Sequence, residues 1–210
     1  MEVPTNCVVF DFDGTLVDSN RIKRDAFFEI AGRCHGGFDA MKLVHAHARG
    51  DRFEIWKSWA VEMGADQSIV DEMVAAYSSA VDKAVATAPE MPGAVDALSK
   101  LKAKGLSLVV SSATPQINLV SIINARGWLG YFDAIHGAPE TKVDILTRHV
   151  VPKAGEASRV AVVGDGGDDR ESARIVGCRF YPVGEAVAAH QSSSEHIYSL
   201  SELSTLLGEQ

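Results

Sequence analysis

The chain alternates between two kinds of apolar pattern. Cys7-Val8-Val9-Phe10 is a short, uninterrupted, β-branched run, which predicts a strand buried on both faces of a parallel sheet. Residues 106–110, 160–163 and 179–183 read the same way, and Ala134-Ile135-His136 is a weaker candidate. Helical stripes lie between them. Ala94, Val95, Leu98 and Leu101 share one face, stopped by Gly105. Ile117, Val120 and Ile123 share another, with Thr114 expected as N-cap and Pro115 as the first helical residue. Strand alternating with helix predicts βαβ units and a parallel sheet with right-handed crossovers.

One stretch interrupts this alternation. Residues 20–88 carry no convincing strand, and helical patterns cover 21–30, 52–63 and about 68–86. Pro89 and Pro92-Gly93 mark the return. The expected architecture is therefore an α/β core, residues 1–19 and 89–210, with an all-helical insert, 20–88, after the first strand. Within the insert, Phe53, Ile55, Trp56 and Trp59 are expected to form its core rather than a stacking platform for bases.

Composition narrows the partners. The 210 residues are 46% hydrophobic and 23% charged, ordinary for a globular protein. Twenty Lys and Arg against 28 Asp and Glu give a net charge of −8. So acidic a surface argues against nucleic acid, which needs clustered cations, but not against a small anionic substrate. No run of about 18 apolar residues exists to span a membrane, and no secretory pattern opens the chain. Cys7, Cys34 and Cys178 are odd in number and far apart, which fits a reducing cytoplasm better than a disulfide scaffold. Cys34 reads as a packed thiol or a loop residue. The expectation is a cytoplasmic monomer or small homo-oligomer.

Open parallel sheets bind ligands beyond the carboxyl ends of their strands. The segments there are Asp11-Phe12-Asp13-Gly14-Thr15, Ser111-Ser112 and Gly164-Asp165-Gly166-Gly167-Asp168-Asp169, with Thr141-Lys142 before the last. Converging carboxylates repel unless a cation sits among them, and oxygen-only ligands suit Mg²⁺. A carboxylate held in this way can attack phosphorus, and a second can protonate the leaving oxygen and then activate water. A lysine and a hydroxyl can hold the phosphoryl oxygens. Two other features read as bland. His45 and His47 lack a Cys, Asp or Glu nearby to complete a zinc set, so they are expected on a helix face. Lys153, the other lysine in reach, follows Pro152 in an expected loop.

These segments resemble the haloacid dehalogenase superfamily. Asp11 to Ser19 is similar to its first motif, DxDGTLxDS; Ser111 to the second; Lys142, at a helix start capped by Thr141 with Asp144, to the third; and 164–169 to the fourth, GDxxxD. The motifs occur in the family's order across nearly the whole chain. The resemblance implies a Rossmann-like parallel sheet of five strands in the order 5-4-1-2-3, with an α-helical type 1 cap inserted after strand 1. It implies Asp11 as nucleophile and metal ligand, and Asp13 as general acid/base with its backbone carbonyl on the metal. Asp165 would complete the metal ligands, and Asp169, rather than the neighbouring Asp168, would act directly or through water. Ser111, the Ser112 N–H and Lys142 would hold the phosphoryl group, with Ser112 the alternative hydroxyl. The function implied is Mg²⁺-dependent hydrolysis of a small phosphorylated metabolite through an aspartyl-phosphate. A phosphomutase of the β-phosphoglucomutase kind and a non-catalytic binding module are the alternatives. Dehalogenation and phosphonate cleavage are disfavoured because those family members lack an aspartate at the position of Asp13. Substrate choice is expected in the insert, at the cation-rich stretch containing Arg49, Arg52 and Lys57, which weakly resembles a segment of phosphoglycolate-phosphatase-like proteins.

Overall fold

The computed structural model describes residues 3–47, 51–183 and 199–207. The chain divides into two compact units, Met1–Asp18 with Ala88–Gln210, and Ser19–Thr87.

The first unit is built on a five-stranded, all-parallel sheet. Its strands are β1 (Cys7–Phe10), β2 (Ser107–Pro115), β3 (Ala134–Ala138), β4 (Val160–Gly164) and β5 (Arg179–Pro182), in the order β3-β2-β1-β4-β5. This is the order that the family resemblance implies, written from the other edge. All four residues of β1 and all five of β4 are buried, as expected for inner strands covered on both faces. The second strand runs longer than its apolar pattern. It continues through Ser111 and Ser112 because β3 pairs alongside, Ser111 opposite His136 and Pro115 opposite Ala138, with a register irregularity between. The polar residues expected just after this strand therefore lie inside it.

Helices α5 (Ala94–Ala103), α6 (Gln116–Ala125) and α9 (Gly167–Val176) connect these strands. A further connection runs from α7 (Lys142–Ile145) through a π-helical turn, Leu146–Val150, into α8 (Val151–Ala154). A short α10 (Leu203–Leu206) follows a 3₁₀ turn late in the chain. Two local expectations are corrected. Pro115, not Thr114, is the N-cap of α6, because the Thr114 hydroxyl is drawn away to Asp13. The buried face of α6 is Leu119, Ile122 and Ile123, while Ile117 is 81% exposed.

Among the described residues, the second unit contains four helices, α1 (Asn20–Ala31), α2 (Gly37–His47), α3 (Arg52–Glu62) and α4 (Ile69–Thr87). Its core is aromatic. Phe27 stacks on Tyr77 at 4.1 Å between ring centroids, and Trp56 meets Trp59 edge-on at 5.3 Å. The Trp59 indole N–H donates to the Gly37 carbonyl at 2.9 Å, so its one polar atom is satisfied in the core. Phe53, expected among these rings, is instead exposed: Asp51 caps α3 by accepting from the Phe53 and Glu54 N–H groups, which places Phe53 on the first turn's outer side. His47 is exposed and His45 half-buried, both in the last turn of α2; His45 stacks on Phe28. Among the described residues, no helix is long and apolar enough to cross a membrane.

The chain leaves and re-enters the first unit side by side. Val17 bridges Glu90 antiparallel, the Asp18 N–H donates to Pro89 O at 2.9 Å, and that of Met91 to Leu16 O at 3.0 Å. Such a closed neck allows a whole helical unit to be inserted without disturbing the sheet.

Candidate active site

Register places the site. Phe10 of β1 sits opposite Val110 of β2 and Val163 of β4, so the next residues, Asp11, Ser111 and Gly164, form a row across the carboxyl end of the sheet. Asp11 is pinned there by its N–H, which donates to Val163 O at 2.9 Å. The chain then turns tightly, and Gly14 takes φ of +80°, a conformation that side-chain-bearing residues rarely adopt. Phe12, fully buried against Trp128, points away from the acids on either side of it.

Lys142 gathers the acids. As the first residue of α7, behind its N-cap Thr141, it places Nζ 3.2 Å from Asp11, 2.8 Å from Asp168 and 2.6 Å from Asp169. Burial works to lower its pKa, but Asp11, Asp169 and Asp168 outweigh it and hold the ammonium charged well above the ordinary lysine range. Burial likewise drives Asp11 well above the ordinary carboxylate range, against the pull of Lys142 and with support from Asp169, Asp13 and Asp165. Asp169 is pushed up to about 6, again by burial first and against Lys142. Asp168 is drawn below its usual value because Lys142 overcomes the cost of its burial. Asp169 is buried and also accepts from the Gly166 N–H at 3.1 Å. Gly164 is required for this closeness, since a Cβ there would run into the Asp169 carboxyl group.

Two threonines orient the remaining acids. Thr114 donates its hydroxyl to Asp13 at 2.9 Å, and Thr15 donates to Asp165 at 3.0 Å. Neither role was drawn from the sequence; the only signal was that both threonines sit at strand ends beside the acids. The two serines of β2 differ. The Ser112 hydroxyl accepts from the Thr114 N–H at 3.1 Å. The Ser111 hydroxyl is buried with no hydrogen-bond partner. Leaving such a group unsatisfied costs about 1–3 kcal/mol, so the position favours a partner for this hydroxyl.

Carboxylate oxygens of Asp11, Asp165 and Asp169 lie within 4.8 Å of one another. Three oxygen donors of like charge, two of them buried, fit a hard divalent cation, which would neutralise what Lys142 alone does not. Lys153 is in α8, not a loop, and lines a cavity with His136 and His149.

The residues expected to choose the substrate lie in the helical unit. Arg52 is turned inward: 9% exposed, it donates to the Ser78 hydroxyl at 2.7 Å and lies over the Tyr77 ring at 5.4 Å. Lys57 is exposed and paired with Glu54 at 2.9 Å. Arg49 lies outside the described residues.

Polar and acidic groups gathered beyond the carboxyl ends of a doubly wound parallel sheet define an α/β protein with its ligand site at that edge. A family model described as haloacid dehalogenase-like hydrolase matches residues 5–177, and the chain belongs to that family. It is 30% identical over 185 residues to a phosphoglycolate phosphatase of Caulobacter vibrioides, covering 81% of this chain and 75% of that one. It is 24% identical to a phosphoglycolate phosphatase of Mesorhizobium japonicum, over 81% and 78%. Among solved structures, a haloacid dehalogenase-like family protein from Streptococcus pneumoniae superposes with a TM-score of 0.71 at 19% identity, over 98% of this chain and 99% of the other. A candidate β-phosphoglucomutase from Thermotoga maritima gives 0.73, also at 19%, over 98% and 99%. At such identity the likeness is one of fold. The chain is thus a haloacid dehalogenase-like hydrolase with phosphatases among its relatives.

Proposed function

We propose that this protein is a Mg²⁺-dependent phosphohydrolase that cleaves a small phosphomonoester through an aspartyl-phosphate on Asp11. The observation that carries the reading is the pairing of Asp11 with the Lys142 ammonium in the same strand-end row as a buried, unpartnered Ser111 hydroxyl. An anion with oxygen acceptors answers both: Lys142 offsets its charge, and Ser111 and the Ser112 N–H donate to it.

Asp11 Oδ attacks phosphorus in line with the departing alkoxide. Asp13, steadied by Thr114, donates the proton that the alkoxide takes up, and then removes a proton from the water that attacks the acyl phosphate. Carboxylates of Asp11, Asp165 and Asp169, with the Asp13 carbonyl, would hold Mg²⁺, which supplies charge neutralisation so that two anions can approach. Asp169 keeps Lys142 aimed at the site.

The core motifs handle only the phosphoryl group, so the rest of the substrate is assigned to the helical unit acting as a cap. Lys57 is an exposed cation of α3, and its surface pair with Glu54 is weak enough to exchange for a substrate anion. Arg52 holds α3 to α4 and would have to leave Ser78 to reach a ligand. The relatives' names make a carboxylate-bearing phosphomonoester the first compound to try.

A panel of phosphorylated metabolites, incubated with and without Mg²⁺, tests the proposal. Free phosphate released only with the metal is expected. An isomerised sugar phosphate without free phosphate would overturn it in favour of a mutase, and binding without turnover would make the protein a binding module.

A further inference from the structure

A second cluster of metal-ligating side chains shares no residue with the strand-end acids. His136 lies on the edge strand β3, Glu140 in the loop that follows, and His149 in the π-helical turn between α7 and α8. His149 Nε2 is 2.7 Å from one Glu140 carboxylate oxygen, and His136 Nδ1 is 3.9 Å from the other. The three ligand atoms lie within 4.8 Å of one another. We propose that His136, Glu140 and His149 form a binding site for a borderline transition-metal dication of the Zn²⁺ type.

The chemistry selects that class of ion. Two imidazoles and one carboxylate are too soft a set for Mg²⁺ or Ca²⁺, which take oxygen, and match Zn²⁺ and its neighbours. Three protein ligands leave a fourth position open to water. A cavity of about 220 Å³ is lined by both histidines, beside the cluster. The π turn that carries His149 is a rare helical irregularity, one that recurs at functional sites. At neutral pH His136 offers a lone pair: burial first, then His149, hold it below the ordinary imidazole range, while Glu140 pulls the other way and Lys153 adds to the lowering.

Closing the site needs one small motion. The rings are stacked 4.6 Å apart and only 16° from parallel, so both cannot aim at one ion as they stand. Zn–N and Zn–O bonds of about 2.0–2.2 Å require ligand atoms roughly 3–3.5 Å apart. Binding therefore requires at least one ring to turn within its broad χ2 well. His149 then exchanges its contact with Glu140 for the ion, and Nε2 becomes its unprotonated nitrogen. The Lys153 charge beside the cavity opposes a dication and so lowers the affinity of the site.

The test is calorimetric titration of tag-free full-length protein with Zn²⁺ in excess Mg²⁺, beside His149→Gln, His136→Gln and Asp165→Asn. One Zn²⁺ per chain is expected in the wild type and in Asp165→Asn. Each histidine variant should weaken that binding by at least about tenfold, since even outer-shell partners cost as much. The histidine variants should keep the wild-type circular dichroism, and each is read independently, so the failure of one to fold leaves the other. Co²⁺ in place of Zn²⁺ should give visible absorption bands of a four- or five-coordinate site in the wild type and lose them in either variant. The proposal is overturned if the wild type binds no Zn²⁺, or if binding survives the histidine changes and is lost in Asp165→Asn, which would put the zinc among the strand-end acids.

Discussion

At the scale of single residues, the site separates groups that look equivalent in sequence. Asp168 and Asp169 both reach Lys142, yet Asp168 keeps 63% of its side chain exposed while Asp169 is buried and packed against Gly164. Ser111 and Ser112 part because one hydroxyl already accepts from the backbone. Asp13→Asn should then lower turnover of an alkyl phosphate by about 10²–10⁴, the usual reach of general acid–base catalysis. A loss under tenfold, measured by phosphate release, would remove Asp13 from that role; an aryl phosphate, whose leaving group needs no proton, would mask the first of its two steps. The thiols give an independent residue-scale expectation. Burial pushes Cys7 and Cys178 up to about 11, so near pH 8 both remain protonated and unreactive. Mass spectrometry after brief alkylation should find Cys34 modified and Cys7, which is buried, intact until the protein is unfolded. Equal labelling of these two would contradict the burial of Cys7.

At the scale of elements, the legible parts were those with a strong period and a clean stop. The inner strands β1 and β4 read directly, because burial on both faces leaves an unbroken apolar run. The carboxyl half of β2 did not, since Ser111, Ser112 and Thr114 are polar and are held in a strand by pairing with β3, a long-range effect. Helix α2 was expected only as a helix face carrying His45 and His47, without bounds, for a similar reason: its buried residues, Gly37, Ala40, Met41 and Val44, include two too small to register as a stripe. The four motif segments were legible as chemistry, whereas the hydrogen bonds of Thr15 and Thr114 needed coordinates. The inward turn of Arg52 was equally invisible, because a guanidinium over a tyrosine ring satisfies its charge without any signature in sequence. Trp59 is the helical unit's most informative test. Trp59→Ala should cost about 3–5 kcal/mol, a cavity plus an unpaired Gly37 carbonyl, read as a lower midpoint in urea. A change under about 1 kcal/mol would mean that the ring is not part of the core.

At the scale of the whole molecule, the acid cluster is an electrostatic burden that the proposed metal would relieve. Asp169 titrates at about 6 in the fold against an ordinary 3.8. A carboxyl raised by folding favours the native state while protonated, so its contribution is present below the unfolded value and lost as pH rises through the folded one. Asp11 acts in the same direction. His136, lowered by burial, acts the opposite way, so the comparison needs a matched variant. In chelator, Asp169→Asn should gain thermal stability relative to wild type as pH rises from about 4 to about 7, and Mg²⁺ should restore wild type but not the variant. A difference that stays flat across this range would refute the linkage. Ca²⁺ should support little turnover, because a larger ion with more ligands misplaces the attacking oxygen.

The most direct measurement is acid-quenched single turnover with the best metabolite substrate, followed by mass spectrometry of the peptide that carries Asp11. A phosphoryl group on Asp11, formed with Mg²⁺ and absent from Asp11→Asn, is the expected result. Undiminished turnover by Asp11→Asn, or a phosphoryl group trapped on any other residue, would contradict the account.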